Sequence, residues 1–106
     1  MAARVLTAGE QEILRGLGPH TLQHARYLLA AHPGLRLTSG RRSPERNRAV
    51  GGVASSYHLV GRAVDLGGGR ATLAAASRTA RAQRVGTRCT GPEEVINEGD
   101  HLHVAW

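Results

Sequence analysis

The chain has 106 residues, enough for one domain with a single hydrophobic core and too few for two. All fourteen basic residues are arginine, and against eight acids they leave a formal net charge of +6, so an anionic partner such as nucleic acid, a membrane surface or an acidic cell-wall polymer suits the balance. The one cysteine, Cys89, excludes an intramolecular disulfide, and no apolar run approaches membrane length, which excludes insertion into a bilayer as a helix.

Phe is absent, and Tyr27, Tyr57 and Trp106 are the only aromatic residues apart from histidine. The core must therefore come from Leu, Val, Ile and Ala, and a bound metal would add noticeably to stability in so small a fold. The arginines are scattered from Arg4 to Arg88 without interleaved aromatics, the opposite of a base-stacking surface, so a solvated basic face competes with a binding patch. Cys89, alone in VGTRCT, reads as a buried small hydrophobe.

In chain order, a helix is expected from about Ala8 to Leu17, with Glu10 and Glu12 near its positive end and Ile13, Leu14 and Leu17 on one side. Pro19 suits the first turn of a second helix carrying Leu22, Ala25, Leu28 and Leu29, which Pro33-Gly34 ends. His20 and His24 are four apart on that helix, but no acid accompanies them. With His32 they read as a solvated face.

LRLTSG, residues 35 to 40, alternates as a half-buried strand with Leu35 and Leu37 inward. In RRSPERNRAVGG, Ser43 is an N-cap, Pro44 takes the first helical position and Gly51-Gly52 ends a short helix. SSYHLVGRAVDL follows, turning at Gly61 into a strand over Arg62 to Leu66. There Ala63 and Asp65 share one face and Val64 and Leu66 the other. Gly67 to Gly69 read as a turn, and an alanine-rich helix is expected from about Ala71 to Gln83, with Arg78, Arg81 and Arg84 in solvent.

The last third reads as strands: VGTRCT, EVIN and, after the turn Glu98-Gly99-Asp100, HLHVAW with His101 and His103 on one face. Helices early and strands late give an α+β domain, with N-terminal helices packed on a small, mainly antiparallel sheet. His58 and Asp65, seven apart across a glycine, together with a histidine from DHLHVAW make a three-ligand set for a catalytic zinc that keeps one position open. Taken singly, His58 would be an ordinary turn histidine and Asp65 a strand-end cap or ion-pair partner.

SGRRSPERNRAVGG, SSYHLVGRAVDL and EGDHLHVAW, in that order, resemble the zinc D-alanyl-D-alanine carboxypeptidase family, which includes VanY-like enzymes and phage endolysin peptidases; the Hedgehog signalling domain is a distant structural relative. The resemblance covers about Ser39 to Leu66 and the last nine residues. It implies that His58, Asp65 and His103 hold one Zn2+, and that an acid a few residues upstream of His103 moves protons. Glu98 is the first choice for that acid and Asp100 the second. It also implies that His101 flanks the metal and helps an oxyanion, and that Arg42 binds substrate, where a guanidinium can pair with a peptide carboxylate. Ser56, two before His58, reads as a hydrogen-bond donor to substrate, while Arg41 replaces the aromatic residue often found at its position.

The function so implied is a monomeric zinc metallopeptidase that hydrolyses peptidoglycan stem peptides, either trimming the terminal D-Ala or cutting between L-Ala and D-Glu. The first thirty residues hold no apolar signal region, since Glu10, Gln11, Glu12 and Arg15 interrupt it. Synthesis in the cytoplasm with action at the cell wall is expected, as a phage lysin or virion component, or else a mature fragment of a secreted enzyme. Two other classes remain open. One is a non-catalytic zinc module that binds cell wall or protein; the other is a basic nucleic-acid-binding domain, supported by the arginine excess alone.

Overall fold

Alternation along two central strands sets the architecture, because it sends aliphatic side chains to one side of a sheet and polar ones to the other. The computed structural model describes residues 5–52, 56–82 and 92–106. Helix α1 spans Ala8–Arg15 and α2 spans Pro19–Ala31; strand β1 is Arg36–Ser39, and α3 is Pro44–Ala49. A 3-10 turn at Tyr57–Val60 leads into β2, Ala63–Gly67, and then come α4, Arg70–Ala82, β3, Glu94–Asn97, and β4, His101–Ala105. The sheet order is β1-β2-β4-β3 with every pair antiparallel, so the fold is α+β as the pattern predicts.

Val64 and Leu66 of β2 lie opposite Val104 and Leu102 of β4, and all four are fully buried. They meet Leu14 and Leu17, Ala25, Leu28 and Leu29 of α2, and Leu73, Ala76 and Ala80 of α4 in one core cluster. Each fully buried leucine contributes roughly 1.5–3 kcal/mol over an exposed one. Leu35 and Leu37 are buried as expected. The other sheet face is left for polar residues, and Asp65 pairs directly with His103 there.

Helix α1 starts with a capping box: the Thr7 hydroxyl accepts from the Glu10 N–H, and Glu10 Oε1 accepts from the Thr7 N–H, both at 3.1 Å. Glu10 sits in the first turn as expected, but it is not a surface residue. It is 4% exposed, and its Oε2 accepts the Leu37 N–H at 2.9 Å, so one carboxylate both caps α1 and satisfies edge strand β1. The helix itself ends at Arg15, two residues before Leu17, with Gly16 as its C-cap.

His24 is also a correction. It is fully buried, stacks on Trp106 with ring centroids 4.7 Å apart and meets the edge of His20 at 4.5 Å. The helix turns His24 inward beside Ala25 and Leu28, where the indole of the C-terminal residue covers it. His32 is tied to α4 through Thr79, Nε2 to Oγ1 at 2.7 Å. Strand β2 runs one residue later than expected, so Gly67 belongs to the sheet, paired with Arg36 and His101. The VGTRCT strand, Cys89 and Arg84 lie outside the described residues.

Two local devices aim the segment that carries His58. Gly61 adopts φ 70° as the cap of the 3-10 turn, and a Cβ there would sit 2.7 Å from the Gly16 carbonyl oxygen, so only glycine lets this turn press against the α1–α2 link. On the sheet, the pairing register between β1 and β2 shifts between Leu37 and Ser39, which leaves Thr38 as the extra residue of a bulge beside Asp65. The Thr38 hydroxyl donates to the Asp65 carbonyl at 3.1 Å.

Candidate metal centre and cleft

The polar sheet face and the 3-10 turn enclose a cleft of about 680 Å3, within the usual size of small-molecule sites. Arg42, Ser56, Tyr57, His58, Asp65 and His103 line it, together with Glu94, Glu98 and His101 from the β3–β4 hairpin. A second cavity of about 500 Å3 lies beside α1 and α2, lined by Leu6, Gln11, Leu14, Arg15, Leu22 and Arg26. Among the described residues no carboxylate or imidazole lines it.

Asp65 is the centre of the site. Its Oδ1 lies 3.4 Å from His58 Nε2 and 3.2 Å from His103 Nδ1, while its Oδ2 accepts a hydrogen bond from Arg42 Nη2 at 3.0 Å. Burial pushes the Asp65 carboxyl up, but the His103 hydrogen bond and the charges of His58 and His103 outweigh that and hold it well below the usual carboxylate range. Its hydrogen bond with Asp65 raises the His103 pKa, opposed by burial and reinforced by Glu94.

The imidazoles show what the site accommodates. His58 is 2% exposed, and its Nδ1–H donates to the Gly40 carbonyl at 2.7 Å, which leaves Nε2 as a lone pair in the neutral ring. That buried Nε2 has no hydrogen-bond partner among the described residues, yet it faces a carboxylate oxygen. A proton on Nε2 or a metal ion between the two atoms satisfies both, and a metal ion also engages His103. Among the described residues, ligand atoms of His58, Asp65 and His103 all lie within 4.8 Å of one another. Two ligands on a tetrahedral zinc with bonds of about 2.0 Å stand about 3.3 Å apart, close to the 3.4 and 3.2 Å that separate Asp65 Oδ1 from the two ring nitrogens. Nitrogen, nitrogen and carboxylate oxygen are also the donor types zinc takes, so the residues fit the ion.

The remaining expected site residues are distributed as follows. Arg42 lines the cleft, and besides Asp65 its Nη1 donates to Asn47 Oδ1 at 3.2 Å, using two of five N–H donors. Its own backbone N–H donates to the His58 carbonyl at 2.9 Å, joining the two segments. Ser56 caps the 3-10 turn by accepting the His58 N–H at 3.2 Å, so its hydroxyl proton is still available. Glu98 lines the cleft from the hairpin turn, where its N–H donates to the His101 carbonyl at 2.9 Å. Asp100 is 87% exposed and is not among the cleft-lining residues; its Oδ1 accepts from His101 Nδ1 at 2.7 Å, which lowers the Asp100 pKa.

Glu94 is a further residue of the site that no sequence motif singles out. Its Oε1 lies 2.9 Å from His103 Nε2, on the side of the ring away from Asp65. Strand parity was the available signal, since Glu94 and Ile96 share a face of EVIN. The missing information was the register, which sets Ile96 opposite His103 and brings Glu94 within diagonal reach of it.

Compared with known families, residues 11–104 match the model described as Peptidase M15. No curated protein matches the chain.

Proposed function

The chain belongs to the peptidase M15 family, the zinc D-Ala-D-Ala carboxypeptidase family, and from that premise we propose that it is a zinc-dependent hydrolase of peptidoglycan stem peptides. The observation that supports the metal most directly is the convergence of His58 Nε2 and His103 Nδ1 on one oxygen of Asp65 at the base of the cleft. A bound zinc supplies Lewis-acid polarisation of the scissile carbonyl and makes water a competent nucleophile at neutral pH.

The protein's own groups do the rest. Glu98 takes the proton of the attacking water and hands it to the leaving amine, a task that suits an exposed carboxylate on the cleft wall. Asp100 instead holds the His101 ring through Nδ1–H, and in the doubly protonated ring the Nε2–H is the donor that stabilises the oxyanion. Arg42 keeps unused N–H donors on the cleft side for a substrate carboxylate, and the Ser56 hydroxyl donates to the peptide. Arg42 and the arginine-rich surface suit an anionic cell-wall substrate.

The test is incubation with purified peptidoglycan, with and without chelator, followed by mass spectrometry of the soluble products. Free D-Ala identifies a carboxypeptidase, and separation of L-Ala from D-Glu identifies an endopeptidase. No zinc in the purified protein would refute the metal centre. Zinc without any product would favour a binding module on the same scaffold.

A further inference from the structure

We propose that Glu94 is the positioning residue of the metal centre: by accepting a hydrogen bond from His103 Nε2–H, it fixes the ring so that Nδ1 is the nitrogen presented to the ion. This rests on the reading of His58, Asp65 and His103 as ligands. An imidazole has two nitrogens, and a metal-binding ring must give one to the ion and protonate the other. In His103 the two are sorted by distance, with Nδ1 3.2 Å from Asp65 Oδ1 inside the ligand cluster and Nε2 2.9 Å from Glu94 Oε1 outside it.

His58 is held by the same device in mirror image. Its Nδ1 is anchored on the Gly40 carbonyl at 2.7 Å and its Nε2 is turned to Asp65. The two rings thus offer opposite nitrogens to the ion, and each is fixed by an acceptor on its far side. The anchor of His58 is backbone, rigid and beyond mutation. That of His103 is a side chain from the neighbouring strand.

The sheet explains why Glu94 can serve. Ile96 is directly opposite His103, and Glu94 lies two residues along β3 on the same face, a diagonal that a glutamate can span and a shorter aspartate would span poorly. Its side chain is 41% exposed, so replacing it leaves the aliphatic core on the other face intact.

Zinc affinity, measured by chelator competition on wild type, Glu94→Ala and Glu94→Gln, tests the assignment without reference to turnover. Glu94→Ala should bind zinc about 10- to 100-fold more weakly, the usual effect of losing such an orienting partner. Glu94→Gln should recover most of the loss, because its amide oxygen accepts the same hydrogen bond. Nitrogen-15 NMR of the zinc-loaded protein should show His103 metallated at Nδ1 and protonated at Nε2. Unchanged affinity in Glu94→Ala, equal loss in both variants, or metallation at Nε2 would each overturn the inference. A wild type that binds no zinc would instead overturn the underlying ligand set.

Discussion

Arg42 Nη2 donates to Asp65 Oδ2 at 3.0 Å, on the carboxylate oxygen that neither imidazole approaches. One oxygen is thereby left for a cation while the other is neutralised by a guanidinium. Both side chains are only 15% exposed, so the pair is held where a lone charge would be costly.

Arg42→Ala therefore has two expected effects. In the presence of chelator, urea denaturation should show a loss of about 2 kcal/mol, since a charged hydrogen bond goes and Asp65 and Asn47 each lose one donor. Against substrate, a stem peptide with a free C-terminal carboxylate should lose more than its C-terminal amide. Equal losses on the two would restrict Arg42 to bracing Asp65.

Glu98→Gln should keep zinc and lower turnover by about 10²- to 10⁴-fold, the range for removing a general acid–base group. Asp100→Asn should keep turnover within about threefold of wild type on the same scale, because the asparagine Oδ1 still accepts the His101 Nδ1–H that holds the ring. The reverse pattern in the peptidoglycan assay would transfer the role to Asp100.

The metal-free and zinc-loaded proteins should respond to pH with opposite signs. His103 has a raised folded-state pKa, so its ion pair stabilises the metal-free protein fully below the ordinary histidine value of 6.5. That contribution is lost as pH rises through the folded value, and thermal denaturation in chelator should give a falling Tm above pH 6.5. Zinc requires the neutral ring, so in excess zinc the Tm should rise over the same window. Parallel curves for the two forms would contradict the site.

Gly61→Ala should destabilise the fold by on the order of 1–3 kcal/mol, because φ 70° strains a residue with a Cβ and that atom meets the Gly16 carbonyl. For a domain of this size 1 kcal/mol corresponds to roughly 4–8 °C in Tm, readily seen by calorimetry. Zinc should also bind more weakly, since His58 sits in the turn that Gly61 closes.

Periodicity and caps made most of the element order legible: Pro19 and Ser43-Pro44 mark helix starts that the structure has, and the alternation in AVDL and HLHVA puts Val64, Leu66, Leu102 and Val104 in the core. The same alternation sets Asp65 and His103 on the opposite face, where spacing and composition make them metal-binding residue types. Those features are local, and residue chemistry with a period of two is enough to read them. Glu10, His24 and Glu94 were not legible, because each takes its role from a residue distant in sequence or from a strand register: Leu37, Trp106 and His103 respectively. The sequence by itself determined which side chains could hold an ion. Only the packing of the 3-10 turn against the sheet, and the hairpin register across it, decided that Asp65 meets Arg42 on one oxygen and two oppositely anchored imidazoles on the other. Such contacts depend on the direction and register of separate segments, which no local pattern encodes.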